Sequence, residues 1–127
     1  MRGTESCRKV AYTLLYRMSQ VRPRQIVAYV APDGRTPFAD WLRKLTDQKA
    51  RNSIRVRIAR LRLGNLGDYK SVGQGVLELR IDIGPGYRLY IGQDGSRLIL
   101  LLCGGTKLSQ AADIKKAQEY WADYMGR

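Results

Sequence analysis

Among the residues of this chain that can hold charge or move protons, the most suggestive are Arg80, Arg88, Tyr90 and Lys107, with Lys70 and Tyr87 as lesser candidates. They fall on the polar positions of an alternating stretch and at the exits from it. Guanidinium forks match the oxygens of a phosphodiester in both its ground state and its transition state. Arg88 directly follows Gly84-Pro85-Gly86-Tyr87, so it stands at a strand end from which a side chain can enter a cleft. Tyr90 shares a face with Arg88 by strand parity, whereas Tyr87 has the opposite parity and reads as core. The competing use of Arg80 and Arg88 is a cross-strand pair with Glu78 or Asp82, worth about 1 kcal/mol or less.

The 127 residues include no His, which excludes Ser-His-Asp hydrolysis, Cys-His proteolysis and His-ligated zinc, because each needs an imidazole. Acid-base chemistry falls to Tyr, Lys, Arg and carboxylates. Asp33, Asp68 and Asp94 stand in turn sequences, and no carboxylates have metal-site spacing, so neither a metal nor another cofactor is expected. Gly64-Asn65-Leu66-Gly67 and Cys103-Gly104-Gly105-Thr106-Lys107 both lack P-loop spacing. Cys7 and Cys103 are too few for a disulfide framework and suit a reducing cytoplasm. No apolar run approaches the roughly 20 residues of a membrane span. A cytoplasmic protein with no membrane partner is the expectation.

Charge narrows the partner. The net +12 is carried by two segments: residues 1–24 have six positive side chains and one negative, residues 42–62 eight and one. Positive charge confined to two elements points to a polyanion, nucleic acid or ribosome. Within the second segment, Arg51, Arg55 and Arg62 share one edge of a helical apolar stripe, with Arg57 and Arg60 on the other side.

These side chains need elements to carry them. Gln25 to Ala31 is a β-branched and apolar run stopped by Pro32-Asp33-Gly34, and reads as the first strand. Thr36-Pro37 opens a short helix with Phe38, Trp41, Leu42 and Leu45 on its apolar face. Thr46 or Asp47 caps a second helix to about Leu63, with Ala50, Ile54, Ile58 and Leu61 as its core stripe. Asn65 to Gly75 has no period and reads as a loop. Val76–Asp82, Tyr87–Gln93 and Arg97–Cys103, separated by Gly84-Pro85-Gly86 and Asp94-Gly95, read as three strands of an antiparallel meander. Gly104-Gly105-Thr106-Lys107 exits the last strand, and a final amphipathic helix follows Ser109. The expected fold class is α+β, in the order β-α-α-β-β-β-α, with two N-terminal helices on one face of the sheet and a C-terminal helix. It occupies residues 24–127 as one domain. Residues 1–23 form an extension, disordered or helical, in which Met18 offers a second start.

The segment GNLGDYKSVGQGVLELRIDIGPGYRLYIGQDGSRLILLLCGGTKLSQAADIKKAQEYW resembles the RelE/ParE toxin superfamily, in its addiction module killer protein branch. The likeness is strong from Gly64 to Trp121, extends more weakly back to Arg24, and leaves residues 1–23 outside. It implies a RelE-like fold and the toxin of a type II toxin-antitoxin pair, neutralised by a co-encoded helix-turn-helix antitoxin. Relatives of the RelE and HigB kind cleave mRNA in the ribosomal A site without metal, the 2′-hydroxyl attacking the adjacent phosphate. The family's G-Y-R motif carries its phosphate-stabilising arginine onto Arg88. The basic residue after the last strand falls on Lys107, and the arginine ending the preceding strand on Arg80. The sequence departs where RelE has a lysine pair, here Val76 and Glu78, and its C-terminal catalytic tyrosine falls near Asp113. Lys70, Lys107, Tyr90 and Glu78 all stay open for proton transfer. The resemblance thus implies a ribosome-dependent endoribonuclease, and the basic second helix, through Arg51, Arg55 and Arg62, is the expected contact with rRNA. Its alternatives are a ParE-like gyrase inhibitor and a non-catalytic basic RNA-binding module.

Overall fold

The computed structural model describes residues 23–127, so the expected extension, apart from Pro23, lies outside the described residues. The elements run β1 (Gln25–Ala28), α1 (Pro37–Lys44), α2 (Gln48–Arg62), β2 (Tyr69–Ser71), β3 (Val76–Ile81), β4 (Tyr87–Asp94) and β5 (Leu98–Thr106). A 3-10 turn (Lys107–Ser109) then leads into α3 (Gln110–Met125). The fold is α+β, three helices on a five-stranded mixed sheet of order β1-β5-β4-β3-β2.

Local chemistry sets the helix ends. Proline at the first turn of α1 loses no hydrogen bond, and Arg43 and Lys44 in its last turn suit the helix dipole. Asp47 caps α2, its carboxylate accepting from the amides of Lys49 (3.0 Å) and Ala50 (3.4 Å). Arg51 reaches back from α2 and donates to the carbonyls of Leu42 (3.1 Å) and Leu45 (3.2 Å), closing the end of α1.

Alternation along the strands sorts side chains onto two faces. Leu79, Ile81, Leu89, Ile91, Ile99 and Leu101 point to one face, where α1 and α2 cover them with Phe38, Ala50, Ile54 and Leu61. Val76, Tyr90, Leu100, Leu102 and Cys103 point to the other, beneath Ala117 and Trp121 of α3, the consecutive Leu102 and Cys103 sharing that face where β5 bulges opposite Tyr90 and Ile91. Tyr87 is in the first cluster, as its parity predicts.

Four details differ from the sequence reading. The sheet is not purely antiparallel, because β1 pairs parallel with β5, Gln25 opposite Leu98 and Ala28 opposite Leu101. A parallel neighbour needs a long crossover, which α1, α2 and the hairpins supply. The segment expected as a loop contains β2, antiparallel to β3. Its three residues are all exposed and at an edge, so no burial period marks them. Finally, β5 continues through Gly104 and Gly105 to Thr106 instead of ending at Cys103. Those glycines are sites of close approach. A Cβ on Gly104 would run into the Trp41 ring of α1, and one on Gly105 into the Asp113 carboxylate of α3. The first strand is also shorter than expected, ending at Ala28, although the Tyr29 amide still bonds the Leu101 carbonyl at 2.9 Å.

Candidate functional site

The strand register assembles the expected residues in rows. Lys70 of β2 lies opposite Glu78 of β3, Glu78 opposite Tyr90 of β4, and Tyr90 opposite Cys103 of β5. The next row holds Arg80, Arg88 and Gly105. All of these face α3.

Glu78 is the hub. Its side chain is fully buried, and its carboxylate accepts from Tyr90 Oη (3.2 Å), Gln110 Nε2 (2.8 Å) and Arg80 Nε (3.4 Å). Arg88 Nε lies 3.9 Å from Glu78 Oε1, close enough for charge attraction but too far for a hydrogen bond. On its other side Arg88 Nη1 is 3.8 Å from the exposed carboxylate of Asp82, and it donates to the Tyr87 carbonyl at 3.1 Å. Arg88 is 7% exposed, and its Nε finds no hydrogen-bond acceptor among the described residues. A guanidinium with five N–H groups is thus held in place with most of its donors unused. The buried Nε is left to the Glu78 charge 3.9 Å away, and the outer Nη groups are the donors that an incoming anion can reach.

Lys107 stands at the same end of the sheet. Its amide donates to the Gly86 carbonyl (2.8 Å), tying the start of the 3-10 turn to the β3–β4 turn. A Cβ on Gly86 would lie 3.6 Å from both Arg88 Nη1 and Lys107 Cβ, in ordinary contact, so the β3–β4 turn sits beside both residues. The Lys107 side chain is exposed. Lys70 is exposed too, but on the edge strand and one row away from Arg88.

Tyr90 is fully buried, and burial foremost, then the charge and hydrogen bond of Glu78, raises its pKa far above the ordinary phenol value. It therefore stays protonated at neutral pH and serves Glu78 as a donor. Cys103 is buried next to it and donates to the Asp113 carbonyl (3.7 Å). Burial, helped by the Asp113 charge, pushes its thiol to about 12, which makes it inert packing. Asp113, where the family tyrosine would fall, accepts from Ser109 Oγ at 2.5 Å and sits over Gly105 in the Arg88 row.

The α2 arginines divide. Arg55 and Arg62 are exposed, whereas Arg51 is half-buried and spent on the end of α1. Arg57, expected beside the stripe, lies on it and is buried. It donates to the carbonyls of Leu66 (2.9 Å), Asp68 (2.5 Å) and Arg80 (2.7 Å), bolting the β2 approach and the end of β3 to α2. The signal was legible, since Ala50, Ile54, Arg57 and Leu61 recur at helical spacings of four, three and four. Gln110 was missed for lack of any signal, being 32 positions from Glu78.

Comparison with known proteins finds 51% identity over 81 residues to a Haemophilus influenzae protein described as uncharacterized. The match covers 64% of this chain and 82% of that relative. The chain belongs to the family of that protein. No family model matches it, and no solved structure does. Among the described residues no helix is long and apolar enough to cross a membrane, and no group of acidic or Cys side chains could hold a metal ion.

Proposed function

We propose that the protein is a RelE/ParE-like toxin of a type II toxin-antitoxin pair, acting as a metal-independent endoribonuclease on ribosome-bound mRNA. The observation that carries this reading is Arg88, buried beside Glu78 with unused donors, next to Arg80 and close to Lys107. Three bases against Glu78 and Asp82 leave the end of the sheet net positive, which suits a phosphodiester.

In this reading the 2′-oxygen attacks the adjacent phosphorus and the bond to the 5′-oxygen breaks, leaving a cyclic phosphate and a 5′-hydroxyl. Arg88 and Arg80 carry the charge that builds on the equatorial oxygens, where fixed donors act most strongly. Glu78, itself held by the covered Tyr90, holds the two arginines. Proton transfer falls to the exposed Lys107 and Lys70 or to groups of the ribosomal A site. Arg55 and Arg62 dock on rRNA, and a co-encoded helix-turn-helix antitoxin neutralises the toxin.

A ParE-like inhibitor of DNA gyrase, which acts by binding alone, is the second reading, because fold does not choose between activities. The small exposure of Arg88 and the cover that α3 lays over Tyr90 favour it. Primer extension on a translated mRNA, with and without ribosomes, separates the two. Ribosome-dependent cuts that vanish in Arg88→Ala support the nuclease. Loss of a charge-stabilising donor should cost about 2 to 4 kcal/mol of transition-state stabilisation. Intact mRNA in every lane, together with inhibited supercoiling by gyrase, refutes the nuclease and supports the second reading.

A further inference from the structure

Beyond its short pairing with β2, the outer edge of β3 faces a groove closed on the other side by α2. One cavity of about 390 Å³ is lined by Asn52, Ser53 and Arg60 of α2 and by Arg80 and Asp82 at the end of β3. A second, of about 520 Å³, shares Asn52 and Ser53 and continues past Lys49 to the Ile83-Gly84 turn. Each is the size of an ordinary ligand cleft, about 300 to 1,000 Å³. Arg57 also lines the first cavity, but its guanidinium is bonded to carbonyls and that of Arg80 to Glu78, which leaves Arg60 as the cation with no such bond among the described residues, beside Asp82.

Arg80 joins this groove to the cluster already described. Its Nε bonds Glu78 on the α3 side, and the same residue lines the groove. A polynucleotide with one phosphate on Arg80 and Arg88 would therefore meet the groove with its neighbouring nucleotide. The lining chemistry fits such a nucleotide. Arg60 is exposed, and among the described residues its side chain makes no hydrogen bond or ion pair, whereas Arg57 is spent on carbonyls. Asn52 already accepts from Gln48 Nε2 at 3.0 Å through its carbonyl, which leaves its amide N–H groups as donors. The Ser53 hydroxyl can donate or accept.

We infer that the groove between α2 and the end of β3 is a nucleotide subsite for single-stranded RNA, in which Arg60 holds the phosphate next to the reacting one and Asn52 and Ser53 bond the base edge. The subsite rests on the nuclease reading for its ligand class. It puts the strand-binding edge of α2 at Lys49, Asn52, Ser53 and Arg60, opposite the edge of Arg55 and Arg62. Bases that present acceptors, such as uracil O4 or guanine O6, suit the Asn52 amide.

The test uses a short 2′-O-methyl oligoribonucleotide carrying 4-thiouridine, which cannot be cleaved and so reports binding whether or not the protein is a nuclease. Photo-crosslinks should map to the segments 49–60 and 80–84. Arg60→Glu should weaken binding about tenfold, and removing one phosphate contact should lower the slope of log affinity against log salt by about 0.7. Arg55→Glu with Arg62→Glu should weaken it less. Asn52→Asp should lower the preference for bases with acceptor edges. Crosslinks confined elsewhere, an Arg60→Glu variant that binds as tightly as wild type, or a stronger loss from the Arg55 and Arg62 pair would each overturn the subsite. All four substituted positions are exposed, and unchanged helical circular dichroism checks folding. Primer extension reports the nuclease reading separately, so failure of one does not hide failure of the other.

Discussion

Replacing Glu78 tests whether the arginine cluster is one coupled unit. The carboxylate is fully buried, and Arg88 has an 8% exposed side chain and only the Tyr87 carbonyl at hydrogen-bond distance. Removing one member of a buried ion pair costs about 3 to 5 kcal/mol, because the other charge is left uncompensated. Asp82 at 3.8 Å softens this only slightly, being exposed to water, and Arg80 can turn its half-exposed head to solvent. Tyr90 and Gln110 would each lose an acceptor, at about 1 kcal/mol apiece. Glu78→Ala should therefore cost about 5 kcal/mol, a large part of the stability of a small domain. Glu78→Gln keeps an acceptor for Tyr90 and Gln110 and removes the charge, so its loss, about 3 kcal/mol, isolates the ion pair. The double variant Glu78→Gln with Arg88→Met should be less destabilised than the sum of the singles by about 2 kcal/mol. Urea unfolding followed by the fluorescence of Trp41 and Trp121 compares the wild type with all four variants. Additivity within about 0.5 kcal/mol, or a Glu78→Gln loss below about 1 kcal/mol, would show that Glu78 does not hold the arginines and would refute the reasoning.

Other perturbations probe the frame. Arg57→Met should lose about 3 kcal/mol in urea unfolding, since three carbonyls lose a charged donor; a loss below about 1 kcal/mol would deny it the role of a bolt. Gly92→Ala should destabilise by about 3 kcal/mol because its Cβ would strike the buried Trp121 ring, whereas Gly95→Ala meets open space and costs only its positive φ; equal melting temperatures would refute the contrast. The hydrogen bond from Tyr29 and the Arg127 charge hold the Asp123 carboxyl below its usual 3.8, so this contribution is present above that pH and lost as pH falls through the lower folded value. Burial, then Asp123, raises Tyr29 from 10.0 to about 12, so its contribution is full below pH 10 and lost as pH rises through 12. Tyr29→Phe should flatten the alkaline limb in thermal melts across pH, and an unchanged profile would refute the pairing. Charge reversal at Arg55 and Arg62 should weaken ribosome binding in a salt-dependent way, while Arg51→Met should act on stability; ribosome binding indifferent to salt and to both reversals would remove the docking role.

Helices and hairpins were legible because their signals are local. Pro37 and Asp47 mark helix starts, glycine turns separate β3, β4 and β5, and alternation along Leu77, Leu79 and Ile81 names the core face. The same alternation put Arg88 and Tyr90 on one face and Tyr87 on the other, and the Gly86-Tyr87-Arg88 run singled out Arg88. Parity, however, says which face a side chain takes and not what covers that face. Glu78, Arg88 and Tyr90 read as a polar, open surface until α3 packs over them and turns Glu78 into a buried acceptor.

What the sequence determined by itself is therefore the order of the three helices and the four longer strands, the absence of imidazole chemistry, the concentration of positive charge and the arginine most worth testing. Tertiary structure alone decided that β1 runs parallel to β5, that β2 extends the sheet, that Arg51 and Arg57 serve the frame, and that Gln110 completes the Glu78 cluster. The physical reason is range. Caps, turns and periodicity act over a few residues, but the fate of a buried charge depends on partners that only chain closure brings within hydrogen-bond distance.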